Sequence, residues 1–122
     1  MNNKKKKILI IEDEPDLVAV MQVRLHHENF EVFTAMNGNA GLSVATSIRP
    51  DIILLDIMMP DKDGYTLLRE FKSYEETYSV PIIVITAKDH IEEPCIQEGA
   101  DKFMLKPFDY DVLVENINTL TA

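Results

Sequence analysis

Three carboxylates, a hydroxyl and an ammonium follow directly on short apolar runs: Glu12 and Asp13 after KILII, Asp56 after DIILL, Thr86 after PIIVI, and Lys106 after KFML. If those runs are neighbouring parallel strands, their carboxyl ends gather all five groups at one edge of a sheet. Carboxylates about 4 Å apart repel by roughly 4 kcal/mol per pair at an effective dielectric near 20, so such a cluster demands a cation or a proton. An all-oxygen donor set favours Mg²⁺ or Mn²⁺, held by one or two carboxylates, a carbonyl and waters, with room left for phosphate oxygens. The chemistry this set could carry is metal-assisted handling of a phosphoryl group.

The elements that must position these residues can be read from hydrophobic period. Ile8–Ile11, Val32–Ala35, Ile52–Leu55, Ile82–Ile85 and Phe103–Leu105 read as strands. The first, third and fourth are almost wholly apolar and β-branched, as expected of strands covered on both faces. Helical spacing marks Pro15–Glu28 (Leu17, Val18, Met21, Leu25), Asn39–Ile48, Gly64–Phe71 and Asp109–Leu120, with Pro15 suited to a first turn and Asp109 to a cap. Between Thr86 and Gly99, Pro94 opposes a long helix, and a short one starting near it is expected. Five βα units imply one α/β domain: a doubly wound, five-stranded parallel sheet with right-handed crossovers and helices on both faces.

The 122 residues suit a single core, and 46% apolar with 27% charged residues is ordinary for a globular chain. A net charge of −9 argues against nucleic-acid binding as the main task. The basic run Lys4–Lys7 is read as the end of a solvated tail over residues 1–6, with the domain occupying 7–122. Cys95 is the single cysteine, so no intramolecular disulfide or thiolate zinc site can form, and a reducing cytoplasm fits. The apolar stretch after MNNKKKK is too short for a signal peptide or a membrane span, so neither export nor a membrane partner is expected.

Taken in order, Glu12-Asp13, Asp56 within LLDIMMPDKDG, Thr86-Ala87 within ITAK and Lys106-Pro107 within LKPF resemble the receiver domain of two-component response regulators, over about Lys7 to Thr121. The resemblance implies the flavodoxin-like strand order 2-1-3-4-5. It implies that Asp56 accepts a phosphoryl group from a histidine kinase or a histidine phosphotransfer protein. Asp13, Asp56 and the backbone carbonyl of Met58 would then hold Mg²⁺, with Glu12 acting directly or through a metal-bound water. Lys106 would place its charge on a phosphoryl oxygen, while the Thr86 hydroxyl and the Ala87 amide bond the others. Phe103 would turn inward when Thr86 moves, Gly64 would permit the turn supporting the Asp56 loop, and Pro107 would follow a cis peptide.

Other readings of single residues stay open. Asp13 or Thr86 alone could be a helix cap, Lys106 a solvated lysine and Phe103 a core aromatic. His26, His27 and His90 show no metal-ligand spacing. An aspartyl-phosphate hydrolase would want a second Asp two residues after Asp56, where the chain has Met58. A flavodoxin-like cofactor module would want a Gly- or Ser/Thr-rich phosphate loop where the chain has Glu12-Asp13-Glu14.

Against the family pattern, Glu12 stands where Asp is commoner, and the interval of 20 residues from Thr86 to Lys106 is short, with the deficit in the fourth helix. No Lys or Arg follows Lys106, so the charge-paired dimer of winged-helix regulators is not expected. Apolar Met58 and Lys88, two after Thr86, offer little to orient a hydrolytic water, so a persistent phosphoryl state is expected. The expected role is a signalling switch, not a turnover enzyme, with its output partner unspecified.

Overall fold

The computed structural model describes residues 4–122. Its elements alternate strictly: β1 (Lys7–Ile11), α1 (Pro15–His27), β2 (Glu31–Ala35), α2 (Gly38–Ile48), β3 (Ile52–Leu55), α3 (Gly64–Ser73), β4 (Ile82–Thr86), α4 (Glu92–Gln97), β5 (Lys102–Leu105) and α5 (Tyr110–Leu120). All strand pairs are parallel and the order is β2-β1-β3-β4-β5, as the sequence led us to expect.

Because side chains alternate across a strand, each central strand feeds two cores. Leu9, Ile11, Ile53, Leu55, Ile82 and Val84 face α2, α3 and α4, where Ala45, Leu67, Leu68, Phe71 and Cys95 meet them. Ile8, Ile10, Ile52, Leu54, Ile83 and Ile85 face α1 and α5, against Met21, Leu25, Leu113 and Ile117. Each such fully buried aliphatic side chain contributes up to about 1.5–3 kcal/mol of transfer free energy. The three central strands are therefore the rigid base on which the site is mounted.

Side-chain caps set three of the five helix starts among the described residues. Asn37 accepts from the Ala40 amide at 2.8 Å to start α2, Asp63 from the Tyr65 amide at 3.3 Å to start α3, and Asp109 from the Asp111 amide at 2.7 Å to start α5. The fourth helix is short, as expected, but it begins at Glu92, two residues before Pro94. Pro94 is tolerated because it lies in the first turn, where a backbone N–H has no intrahelical acceptor in any case. Lys6 is tied to the fold on both sides: its carbonyl accepts from the Glu31 amide at 2.9 Å and its ammonium donates to the Thr121 carbonyl. No helix among the described residues is long and apolar enough to cross a membrane.

Candidate functional site

The backbone ladder runs one residue past the ends of the central strands and carries the site residues with it. The Glu12 amide donates to Ala35 at 3.0 Å, the Asp56 amide to Ile11 at 3.0 Å, and the Lys106 amide to the Thr86 carbonyl at 2.8 Å. Glu12, Asp56 and Thr86 are consequently held in nearly complete burial, at 3%, 6% and 0% exposure. Three groups distant in sequence are thus pinned to one sheet edge by main-chain bonds.

Glu12, Asp13 and Asp56 each offer a carboxylate oxygen, and these oxygens lie within 4.8 Å of one another. Each like-charge pair at such a separation costs roughly 3–4 kcal/mol at an effective dielectric near 20. Lys106 offsets part of that: its Nζ lies 2.8 Å from Glu12 Oε1 and 3.0 Å from Asp56 Oδ2. It also lies 2.9 Å from Glu14 Oε1, a partner the sequence reading did not assign to the site. Glu14 occupies the N-cap position of α1 but makes no capping bond, and its side chain points to Lys106 instead. The signal was the acidic run itself, in which Glu14 counted only as a further charge repelling phosphate. Being 63% exposed, it adds little to stability.

Burial pushes the Glu12 carboxyl above its ordinary value of 4.5, with the Asp56 charge adding to this and the Lys106 hydrogen bond opposing it. Burial by itself disfavours the Lys106 ammonium, but the bonds to Glu12, Glu14 and Asp56 outweigh it and raise Lys106 above an ordinary lysine. From pH 4.5 up to the raised value of Glu12, the folded chain holds a proton that the unfolded chain has released. That component of stability is present below 4.5 and lost as pH rises through the window. In the absence of divalent ions, Glu12→Gln should flatten the pH dependence of urea-unfolding free energy there; slopes identical to those of the native chain would exclude the effect.

The loop after β3 is folded back on the site. The Met58 amide donates to Asp56 Oδ1 at 2.9 Å, while the Met58 side chain is 55% exposed. Asp61, also unassigned by the sequence reading, accepts from the Gly38 amide at 3.0 Å and the Asn39 amide at 3.2 Å, tying this loop to the start of α2. The Gly38 bond is the main reason its carboxyl sits below the usual range. Gly64 is required by close approach, since a Cβ there would run into the Ile57 carbonyl oxygen and Cα.

The remaining expected residues lie on β4 and β5 and just beyond their ends. Thr86 ends β4, and its hydroxyl accepts a long bond, 3.4 Å, from the Lys88 amide. Ala87 lines an open cleft with Lys106, Pro107, Phe108, Glu14 and Leu17, and the Lys106–Pro107 peptide is cis. Phe103 is half-buried on β5, opposite Val84 and packed on the α2–α3–α4 side of the sheet.

Comparison with known proteins gives a consistent answer. A family model of the response regulator receiver domain matches residues 8–118. The chain is 38% identical over 117 residues to the response regulator PleD of Caulobacter vibrioides, covering 94% of this chain and 26% of that protein. Among curated relatives it spans about a quarter to a half of their length. It is similar to the solved receiver domain of sensor histidine kinase PA1611 from Pseudomonas aeruginosa PAO1, which has a magnesium ion coordinated in its active-site cleft. There the identity is 30%, the coverage 97% of this chain and 98% of that one, and the TM-score 0.89. Response regulator protein TrrA from Thermotoga maritima, solved in complex with Mg²⁺–BeF, matches at 31% identity, 94% and 98% coverage and TM-score 0.85. With the family model spanning both ends of the sheet and all the clustered side chains, the chain belongs to the response regulator receiver domain family.

Proposed function

We propose that Asp56 is the phosphoacceptor of this receiver and that the chain works as a Mg²⁺-dependent signalling switch. The observation that carries this reading is the environment of one carboxylate: Asp56 is buried, one oxygen bonded to Lys106 and the other to the Met58 amide, with Glu12 and Asp13 within ion-sharing distance. Glu12, Asp13, Asp56 and the Met58 carbonyl are the groups that would hold Mg²⁺. The ion, when bound, neutralises charge so that a carboxylate can meet an anionic donor.

An Asp56 oxygen attacks phosphorus in line, a P–O bond forms, and the P–N bond of a phosphohistidine breaks with its electron pair passing to the imidazole. Histidine kinases and histidine phosphotransfer proteins are the donors of that chemistry. Lys106 then exchanges a carboxylate for a phosphoryl oxygen without leaving the site, and the Thr86 hydroxyl and Ala87 amide supply further donors. Thr86 gives up only one long bond to reach the phosphoryl group. Phe103, which has no hydroxyl, follows by repacking beside Val84, and the change reaches an output surface on α4, β5 and α5. Exposed Ile96, Leu105 and Val112 lie on those three elements, and α5 contains no Lys or Arg, so partner contact there is apolar in place of charge-paired. The domain regulates and does not turn over an external substrate.

Incubation with acetyl phosphate should add the mass of one phosphoryl group to the native chain when Mg²⁺ is present. No addition is expected when Mg²⁺ is chelated, nor in Asp56→Ala. Modification persisting in Asp56→Ala would remove the reading. The exposed Met58 side chain is apolar and, with Lys88, offers little to orient a hydrolytic water. The phosphoryl state should therefore last minutes or longer after donor removal, and its loss within seconds, followed by intact mass, would contradict that assignment.

A further inference from the structure

The opposite edge of the sheet carries a second charge concentration that the phosphoacceptor reading does not use. Lys4, Lys5, Lys6, Lys7 and Arg49 line one cleft of about 280 Å³ with a single anion, Asp51. Five of the chain's 12 Lys and Arg residues thus line one cleft on a protein whose net charge is −9. The walls are fixed to three elements. The Lys7 amide donates to Asp51 Oδ2 at 2.7 Å, the Lys7 ammonium to the Ile48 carbonyl at 3.3 Å, and the Lys6 ammonium to the carbonyl of Thr121 just beyond α5. Arg49 closes α2 in the left-handed conformation, φ 52°. By the same electrostatics that make the acidic cluster demand a cation, this cleft demands an anion.

The surroundings select the size of that anion. Exposed Glu31 lies directly opposite Lys7 in the β1–β2 register. Exposed Glu75 and Glu76 lie in the connection that leads to the start of β4, at the same edge. A long polyanion such as nucleic acid would overrun the cleft onto these carboxylates, whereas a compact group would not. Several charges within a few ångströms call for several donors at once, which the exposed Arg49 guanidinium and Lys5 ammonium supply in complementary geometries.

We propose that the cleft at the amino-terminal edge of the sheet binds a compact, multiply charged phosphate chain, either the phosphates of a nucleotide or a short inorganic polyphosphate. The test uses inorganic tripolyphosphate with the whole chain in EDTA at low salt, read by backbone amide shifts and calorimetry. Saturable shifts at the amides of residues 5–7, Arg49 and Asp51 are expected, with at least tenfold weaker binding in Lys5→Gln/Arg49→Gln and unchanged binding in Asp56→Ala. Orthophosphate should bind at least tenfold more weakly than tripolyphosphate. ATP matching tripolyphosphate assigns the site to nucleotides; ATP binding tenfold more weakly assigns it to free polyphosphate. Both Lys5 and Arg49 are exposed, so the double variant keeps the fold, checked by its melting temperature. The proposal is overturned if millimolar tripolyphosphate gives no shifts, if the double variant binds as well as the native chain, or if a single-stranded oligonucleotide binds more tightly. Since Mg²⁺ is absent and Asp56→Ala is included, none of these outcomes bears on the phosphoacceptor reading.

Discussion

Replacing Lys106 by methionine should slow phosphoryl uptake from acetyl phosphate by about a hundredfold or more, the usual scale for losing one preorganised charge aimed at a transferring group, while making the chain's stability depend more steeply on Mg²⁺. Both effects follow from one ammonium bonded to Glu12, Glu14 and Asp56 at 2.8–3.0 Å. Without it, Glu12, Asp13 and Asp56 face one another with no internal counter-ion, and the metal-free chain pays for their repulsion. A divalent ion relieves it, so the rise in melting temperature on adding Mg²⁺ should be larger in Lys106→Met than in the native chain. The rate loss would persist at saturating Mg²⁺, because a metal ion carries no hydrogen-bond donor to take the place of the Lys106 ammonium. A variant that takes up phosphoryl within threefold of the native rate would show Lys106 to be structural.

The strand-end residues of this site were legible because the central strands are. Almost wholly apolar β1, β3 and β4 are buried on both faces, and burial of that kind favours a parallel sheet whose carboxyl edge holds residues 12, 13, 56, 86 and 106. Four strands were read one residue short: β1, β2 and β5 at their starts, where Lys7, Glu31 and Lys102 are charged, and β4 at its end, where Thr86 is polar. At a solvent-facing edge a charged side chain costs little and helps to block unwanted pairing.

Contacts between side chains and distant backbone were not legible at all. Nothing local to Asp61 announces that it would hold the start of α2, and nothing in Lys6 announces Thr121 as its partner. Glu14 was obscured for a related reason: as an N-cap residue it has a local role available, and only the arrival of Lys106 from 92 residues away draws its carboxylate elsewhere. The start of α4 was set by the tolerance of a first helical turn for proline, which places Glu92 and Glu93 ahead of Pro94.

Two glycines at equivalent helix positions should respond to alanine with opposite outcomes. Gly38 and Gly64 each open a helix directly after an Asn or Asp cap, α2 after Asn37 and α3 after Asp63. On propensity alone, alanine in place of glycine within a helix gains up to about 1 kcal/mol. At Gly38 a new Cβ meets Lys62 Cβ at 3.2 Å and Leu67 Cδ2 at 3.3 Å, side-chain atoms that can yield by a few tenths of an ångström. Gly38→Ala should therefore leave stability within about 1 kcal/mol of the native chain. At Gly64 a new Cβ would lie 2.4 Å from the Ile57 carbonyl oxygen and 2.9 Å from its Cα, and that backbone cannot move without carrying Asp56 and the Met58 amide with it. Overpacking against backbone costs about 3 kcal/mol, enough to swamp the propensity gain and to lower the melting temperature by roughly 10 °C or more in a domain of this size. Because the displaced segment adjoins the Asp56 carboxylate, Gly64→Ala should also bind Mg²⁺ more weakly and take up phosphoryl more slowly, whereas Gly38→Ala should do neither. Equal melting temperatures for the two variants would mean that the loop after β3 yields freely, and the positioning assigned to Gly64 would have to be withdrawn.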